Sequence, residues 1–192
     1  LYNPLFDYVL LFVQNSAQRL ASSKKGNIMS KLKIAFIGSG AMAGAMIAGL
    51  LREKLADPEN LFASDPRAER GMELREKYGI QPFTDNAAAV KEANVVVLSI
   101  KPQRLSSVLA DLKGKIHEDA LVLSIIAGAT IEKMSEGLGH VKVIRTMPNT
   151  PARIGEGITV WVASDAVSDE QKEQAKKMLS ALGEEVFVED EY

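Results

Sequence analysis

The chain has no cysteine, which excludes disulfide bonds, thiolate metal sites and cysteine nucleophiles. Histidine occurs only twice, at His117 and His140, and both lie in charged or glycine-flanked stretches typical of the surface. No metal-ligand or Ser–His spacing is present, so we expect no metal site. The net charge of −2 comes from mixed charges and indicates no nucleic-acid partner. No apolar run reaches the roughly 18 residues of a membrane helix, so we expect no membrane span and a cytoplasmic protein.

Apolar residues are nevertheless plentiful: 46% of the 192 residues are hydrophobic and 25% are charged, which suits a globular domain with its own core. Residues 1–28 stand apart, since Leu1 begins the chain and Met29 lies just before the first predicted strand. We interpret residues 1–28 as a leader or appended segment and residues 29–192 as one domain. Apolar residues at helical spacing in the leader are compatible with an amphipathic helix packed on the domain or a neighbouring chain.

A glycine turn joins the first predicted strand to the first predicted helix. Gly38 ends the apolar run 34–37, Gly40 follows, and Ala43 occupies the place of a third glycine. In this G-x-G-x-x-A spacing the first glycine permits a tight turn and the second lets the backbone approach a pyrophosphate. The helix that follows offers free N–H groups to the phosphates. The alternative is a glycine turn that binds no ligand. Because the turn lies at the start of a long βα series, we favour the interpretation that it binds a coenzyme.

Beyond this turn, short apolar runs alternate with helical stretches. We predict strands at residues 33–37, 61–64, 80–83, 95–100, 121–126, 141–145, 158–162 and 185–188. We predict helices at residues 41–54, 67–78 and 169–182, after Pro102, from Ala87, and from Thr130 toward Gly137. The pattern indicates an α/β fold, a Rossmann-like doubly wound, mainly parallel sheet of about eight strands with helices on both faces.

Ligands of such sheets bind at the carboxyl ends of the strands, and several polar residues lie there. Asp65 falls about 20 residues beyond the glycine turn, where an acidic group can hold the adenosine ribose of NAD. Arg67 could instead bind the 2′-phosphate of NADP, and Asp65 could merely cap the next helix. Asn86 either binds the adenosine end or caps a helix. Lys101 either contacts a ribose or phosphate or is simply solvated. NAD and NADP both stay open.

The loop 146–151 is the most unusual of these connections. Pro148 and Pro151 would make its backbone rigid and present the Asn149 amide between them. We expect it to face a nicotinamide ring or its substrate; the alternative is a rigid structural loop. No acid–base pair accompanies it. Hydride transfer to an electrophilic carbon, such as a protonated imine, needs little beyond positioning.

Four motifs in order resemble the N-terminal domain of the pyrroline-5-carboxylate reductases. They are FIGSGAMA at residues 36–43, SIKPQ at 99–103, SIIAGAT at 124–130 and VIRTMPNTPA at 143–152. The resemblance covers residues 29–192. The glycine motif is shared with many dehydrogenases, whereas the MPNTPA run is far more specific.

The resemblance implies an oxidoreductase that reduces Δ1-pyrroline-5-carboxylate to L-proline with NADPH or NADH, in proline biosynthesis. Asp65, where relatives often have serine, leaves the choice of coenzyme open. The implied pyrophosphate-side residues are Ile37, Gly38, Ser39, Gly40, Ala41 and Met42. Asp65, Arg67 and Asn86 fall on the adenosine side. The residues toward the nicotinamide are Ser99, Ile100, Lys101, Pro102, Ile125, Ile126 and Ala127. The loop facing the substrate comprises Met147, Pro148, Asn149 and Thr150.

The family continues into a helical C-terminal domain that forms the dimer and much of the substrate pocket. We therefore expect this chain to bind coenzyme but to turn over poorly, and the full-length protein to be a homo-oligomer with a small-molecule substrate. We also expect apolar surface to be exposed on the last strands. Two alternatives stay open: another small-substrate NAD(P)-dependent dehydrogenase of the same fold, and a non-catalytic NAD(P)-binding module.

Overall fold

A computed structural model of the chain describes residues 31–189, which form an eight-stranded sheet flanked by helices. The predicted leader helix lies outside the described residues. The strands are β1 (Ile34–Ile37), β2 (Leu61–Ser64), β3 (Gln81–Phe83), β4 (Val95–Leu98), β5 (Leu121–Ser124), β6 (Val143–Pro148), β7 (Gly157–Ala163) and β8 (Gly183–Phe187).

Six α-helices and three 3₁₀ helices are described. The α-helices are α1 (Ala41–Arg52), α2 (Ala68–Tyr78), α3 (Asn86–Val90), α4 (Leu105–Leu112), α5 (Ile131–Leu138) and α6 (Asp169–Ser180). The 3₁₀ helices are Pro58–Asn60, Pro102–Arg104 and Thr150–Ile154. No helix within residues 31–189 is long and apolar enough to cross a membrane. The same residues contain no group of three or more side chains that could hold a metal ion.

The strand order is β3-β2-β1-β4-β5-β6-β7-β8, and β1 to β6 run parallel. β7 turns back antiparallel to β6, and β8 runs parallel to β7. The chain leaves β1 in one direction to build β2 and β3, then crosses over to build β4 on the other side of β1. The carboxyl end of β1 is therefore the switch point of a doubly wound sheet, and the predicted fold class is confirmed.

The sheet buries both of its faces because helices cover each one. Ile34 and Phe36 of β1 pack in a core with α1, α2 and α6, and Ala35 and Ile37 pack in a second core with α3, α4 and α5. All four side chains are fully buried. This two-sided burial explains why the parallel strands read as continuous apolar runs rather than alternating ones.

The end of the sheet differs from the sequence prediction, which ended the sixth strand at Arg145 and left residues 146–151 as a loop. β6 extends to Pro148 because β7 returns beside it, pairing Met147 with Val160 and Pro148 with Thr159. β5 pairs with β6 only as far as Arg145 of β6, so Pro148 has a neighbouring strand on one side only. A proline is tolerated at such an edge position because no second ladder needs its N–H.

One of the two alternatives for Asn86 is excluded, and the expectation for His140 is wrong. Asn86 does not cap α3; it is the first helical residue, and Asp85 is the N-cap, accepting a hydrogen bond from the Ala87 N–H. His140 is not a surface residue, since it is only 7% exposed and its Nε2 lies 2.7 Å from the Ala120 carbonyl oxygen. The preceding Gly139 is the C-cap of α5 and adopts a left-handed conformation with a φ of 64°. His117 is exposed, as predicted.

Candidate functional site

The predicted site loops meet at the carboxyl edge of the parallel strands. The hydroxyl of Ser99, after β4, donates to the Gly38 carbonyl after β1 at 2.7 Å. The Ser39 N–H donates to Asp65 Oδ2 after β2 in a long contact of 3.4 Å. These bonds bring together the loops after three adjacent strands, so the glycine turn lies in the middle of the edge.

Gly38 makes the turn possible in two ways. Its φ is +92°, a left-handed conformation that residues with a side chain rarely adopt. A Cβ at this position would also lie 2.8 Å from both the Ser99 carbonyl oxygen and Ile100 Cγ2. Glycine is therefore required here for the turn and for close contact with the loop after β4.

Gly40 differs, because no atom lies within 4 Å of the place where its Cβ would be. It is the N-cap of α1, with an ordinary φ of −70°, so neither strain nor crowding in the protein requires glycine. Ala43, one turn on, is fully buried against the core. The glycine turn thus leaves free space against the first turn of α1, and a phosphate group fits such a cradle.

Asp65 and Arg67 are bonded to each other. The guanidinium of Arg67 contacts both carboxylate oxygens of Asp65, at 3.0 and 3.2 Å, and the Arg67 N–H donates to Oδ1 at 3.0 Å. Burial by itself would raise the pKa of Asp65, but the hydrogen bonds and charge of Arg67 hold that pKa below its usual value. Asp65 is therefore an anion. Its side chain is 8% exposed, against 68% for Arg67.

An open cleft of ≈ 420 Å³ lies beside this pair and the start of α1. Its lining residues come from the glycine turn and from α2 and its approach: Ser39, Gly40, Ala41, Arg67, Glu69, Arg70 and Glu73. Sequence reasoning missed Arg70, which donates from Nε to the Ser39 carbonyl at 2.8 Å and from Nη1 to Glu73 at 2.8 Å. The available signal was its position in the first turn of α2, three residues after the N-cap Arg67.

Asn86 lies near the end of β2 but its amide already has protein partners. Its Oδ1 accepts from the Ser64 hydroxyl at 2.8 Å, and its Nδ2 donates to Asp111 at 3.1 Å. This bond lowers the pKa of Asp111, with help from Lys115. Asn86 therefore links the end of β2 to α4 and does not cap the helix.

Side-chain hydroxyls form hydrogen bonds within the loops predicted to lie toward the nicotinamide. The Ser124 hydroxyl accepts from the Ile126 N–H at 3.2 Å, which shapes the turn containing Ile125 and Ala127. The Thr146 hydroxyl donates to the Ser124 carbonyl at 3.1 Å and ties β6 to β5. Lys101 is exposed after β4, directly before Pro102. The residue types along this stretch can position a flat ring but supply no buried acid or base.

The loop after β6 also stabilises the fold. Asn149 Oδ1 accepts from the Ile158 N–H at 3.0 Å, so the amide oxygen holds the start of β7. Met147 is 45% exposed, and Thr150 begins the short 3₁₀ helix that leads to β7. The rigid-loop alternative thus accounts for part of the motif, through Pro148, Asn149 and the 3₁₀ helix.

Comparison with known proteins identifies the family of this chain. Residues 33–128 match the protein family described as NADP oxidoreductase coenzyme F420-dependent. The chain belongs to this family. The predicted resemblance to the pyrroline-5-carboxylate reductases is also confirmed: the chain is 40% identical over 164 residues to the enzyme of that name from Pseudomonas aeruginosa, covering 85% of this chain and 60% of the relative.

Solved structures give the same result. The chain is similar to a pyrroline-5-carboxylate reductase from Coxiella burnetii with a TM-score of 0.80 and 31% identity, over 83% of this chain and 60% of the other. It is similar to a Plasmodium falciparum pyrroline carboxylate reductase with NADP bound, with a TM-score of 0.74 and 25% identity, over 84% and 59%. This oxidoreductase-family chain thus spans about 60% of the length of the relatives it matches.

Proposed function

We propose that this chain is the coenzyme-binding part of an oxidoreductase that reduces Δ1-pyrroline-5-carboxylate to L-proline with NAD(P)H. The observation that carries the proposal is the cradle at Gly38 and Gly40, in a chain whose relatives are named pyrroline-5-carboxylate reductases. The chain spans only part of those relatives, so the proposed activity belongs to the full-length protein.

The proposed site assigns one part of the coenzyme to each group of loops. The pyrophosphate lies against Ile37, Gly38, Ser39, Gly40, Ala41 and Met42, where the first turn of α1 supplies N–H donors. The adenosine end lies beside Asp65, Arg67 and Asn86. Since the sheet places these groups side by side, the coenzyme runs along the carboxyl edge from β2 across β1 toward β5.

The nicotinamide end lies among Ser99, Ile100, Lys101, Pro102, Ile125, Ile126 and Ala127. The substrate lies on the side of Met147, Pro148, Asn149 and Thr150. When bound, the reduced nicotinamide supplies a hydride. The work of these side chains is to orient the ring and exclude water, since a protonated imine is already electrophilic and demands no general acid from the protein.

We propose that NADPH is preferred over NADH. Arg67 lines the cleft and its side chain is 68% exposed, so its planar fork can reach a phosphate. Asp65 opposes this preference because its carboxylate would repel a 2′-phosphate unless Arg67 stays between them. The ratio of the NADPH and NADH affinities measures whether the effect of Arg67 or that of Asp65 is larger.

The remaining parts of the proposal concern the whole protein. Residues 29–192 form the NAD(P)-binding domain, with residues 1–28 appended to it. The full-length protein works in the cytoplasm as a homo-oligomer built through a helical C-terminal domain. Among the described residues, the exposed apolar side chains on β6, β7 and β8 support a further packing partner for this end of the sheet.

The first experiment titrates the chain with NADPH and NADH and follows nicotinamide fluorescence. We expect saturable binding of both, tighter for NADPH. Gly40→Val fills the free space of the cradle and should abolish binding, whereas Ala110→Val adds a branched side chain on the exposed face of α4 and should not. If neither coenzyme binds the unsubstituted chain, the proposed function is wrong.

The second experiment separates the reductase from the alternatives. Full-length protein is supplied with Δ1-pyrroline-5-carboxylate and NADPH, and proline is measured. Proline formation at an enzymatic rate supports the proposal. Coenzyme binding without turnover of this substrate would instead indicate another small-substrate dehydrogenase or a non-catalytic NAD(P)-binding module.

A further inference from the structure

Ser39 is the buried residue of the glycine turn, and all its polar groups have partners. Its N–H approaches Asp65 at 3.4 Å and its hydroxyl approaches the Ser64 carbonyl at 3.4 Å, so both of these contacts are long. Its carbonyl makes the short contact, accepting from Arg70 Nε at 2.8 Å. Ser39 itself is 1% exposed. The shortest of these contacts of Ser39 therefore comes from α2.

The direction of that carbonyl decides which way the next N–H faces. None of the described peptide bonds is cis, and in a trans peptide the carbonyl and the following N–H point in opposite directions. Because Arg70 holds the Ser39 carbonyl toward α2, the Gly40 N–H is turned away from α2. A carbonyl turned the other way would present a negative dipole to a phosphate.

We propose that Arg70 is a positioning residue for the pyrophosphate cradle: it fixes the Ser39–Gly40 peptide so that the N–H, and not the carbonyl, faces the coenzyme. This inference rests on the proposed coenzyme binding and deepens it. Arg70 acts through the turn and makes no contact with the pyrophosphate. Its effect is the same for NADPH and NADH, since both carry that group.

The two arginines of the cleft thus have different tasks. Arg67 bonds to Asp65 and is mostly exposed, so it affects the discrimination of a 2′-phosphate. Arg70 is 28% exposed and held at two of its nitrogens. Its ion pair with Glu73 is on the surface, where such pairs contribute little, because the Glu73 side chain is 63% exposed. The bond to the Ser39 carbonyl is therefore the one that matters.

The test uses Arg70→Gln in the 192-residue chain, with Arg75→Gln as the matched control on an exposed position of the same helix. We expect Arg70→Gln to weaken NADPH and NADH about tenfold each, the loss of one charge-assisted hydrogen bond, and to leave their affinity ratio unchanged. Arg70→Lys, which keeps a donor for the carbonyl, should recover part of the loss. Arg75→Gln should change neither affinity.

Competition by adenosine nucleotides separates positioning from direct contact. ADP carries the pyrophosphate and should compete less well in Arg70→Gln, whereas 2′-AMP carries only the 2′-phosphate and should compete equally well. Selective loss of NADPH and 2′-AMP binding would make Arg70 a ligand of the 2′-phosphate and overturn the inference. Unchanged affinities in folded Arg70→Gln and Arg70→Lys would overturn it as well. Failure of the unsubstituted chain to bind any nucleotide would instead refute the proposed function.

Discussion

Gly38 and Gly40 lie in one turn, yet the protein requires glycine only at the first. Gly38 combines a φ of +92° with contacts that a Cβ would make at 2.8 Å, partly with backbone. Gly38→Ala should therefore lower the free energy of unfolding by at least about 2 kcal/mol, from left-handed strain and overpacking. Gly40→Ala should cost about 1 kcal/mol or less, the difference between glycine and alanine at an N-cap.

Urea unfolding of the two variants measures this difference, and coenzyme titration of Gly40→Ala adds a second readout. If the space beside Gly40 receives a phosphate, the alanine variant loses little stability but loses affinity for the coenzyme. Equal destabilisation by the two substitutions would contradict this account of the turn. The comparison thus separates the conformational need for glycine from the ligand's need for it.

His140 should make the fold sensitive to mild acid. Burial lowers its pKa, the Ala120 carbonyl opposes this, and the charge of Lys142 lowers it further. The folded state therefore prefers the neutral ring. The neutral His140 ring therefore contributes fully to stability above the pKa of about 6.5 that histidine has in the unfolded chain. This contribution is lost as the pH falls below that value, because the unfolded chain then binds the proton more readily than the folded chain does.

Stability measured between pH 7.5 and 5.5 tests this. The unsubstituted chain should lose stability across that window, and His140→Gln should lose less while being weaker at pH 7.5. His117→Gln, at an exposed position, is the control for removal of an imidazole. An identical pH profile for His140→Gln and the unsubstituted chain would exclude His140 as the cause.

At the scale of single residues, sequence reasoning identified positions better than partners. Asp65 and Arg67 were read as alternative ligands for two coenzymes, whereas the folded chain joins them in one ion pair. Arg70 was missed because its partner, the Ser39 carbonyl, lies 31 residues away and on another element. Side-chain partners of this kind depend on how α2 packs against the glycine turn, which local spacing does not encode.

At the scale of elements, local patterns predicted the βα units well because each strand and cap carries its own signal. Thr130 caps α5 as expected: its hydroxyl oxygen accepts a hydrogen bond from the Lys133 N–H. The end of β6 was missed because Pro148 and Pro151 read locally as a loop. Only pairing with β7, which a sequence pattern does not reveal, makes residues 146–148 part of the sheet.

Two buried threonines at this end of the sheet provide a matched test of how the strands are joined. The Thr146 hydroxyl of β6 donates to the Ser124 carbonyl of β5, whereas the Thr159 hydroxyl of β7 has no partner among the described residues. Both residues are fully buried. Thr146→Val should lower the free energy of unfolding by about 1–2 kcal/mol, because the bond is lost and the carbonyl stays buried.

Thr159→Val should instead leave stability unchanged or raise it by about 1 kcal/mol, because it removes a buried hydroxyl that makes no hydrogen bond. Guanidinium unfolding of the two variants gives the comparison directly. A larger loss for Thr159→Val than for Thr146→Val would contradict the hydrogen-bond assignments in this part of the sheet.

At the scale of the whole molecule, the sheet was predictable as a class because alternating strands and helices allow few topologies. β1 stands between β2 and β4, so its carboxyl end is the switch point that such a sheet contains. The antiparallel direction of β7 could not be predicted from this pattern. A short 3₁₀ connection, Thr150–Ile154, replaces the crossover helix, so the chain turns back on itself.

That reversal leaves an apolar face on the last three strands, which we name the β6–β8 face: Met147, Ile158, Val160 and Val186. These side chains are 45%, 47%, 40% and 45% exposed. Met147 pairs with Val160, and Val160 with Val186, so they form one continuous patch that reaches the edge strand β8. Contiguous apolar patches of this kind promote association in water.

We therefore expect the 192-residue chain to self-associate as its concentration rises, with the β6–β8 face as the contact. Sedimentation velocity should show a weight-average mass that increases with concentration. Val160→Lys places a charge at the centre of the patch and should keep the chain monomeric. Met72→Lys, on α2 at a position 58% exposed, is the matched control and should associate as the unsubstituted chain does. A chain that is monomeric at every concentration, or a Val160→Lys variant that associates unchanged, would show that this face is not a contact surface.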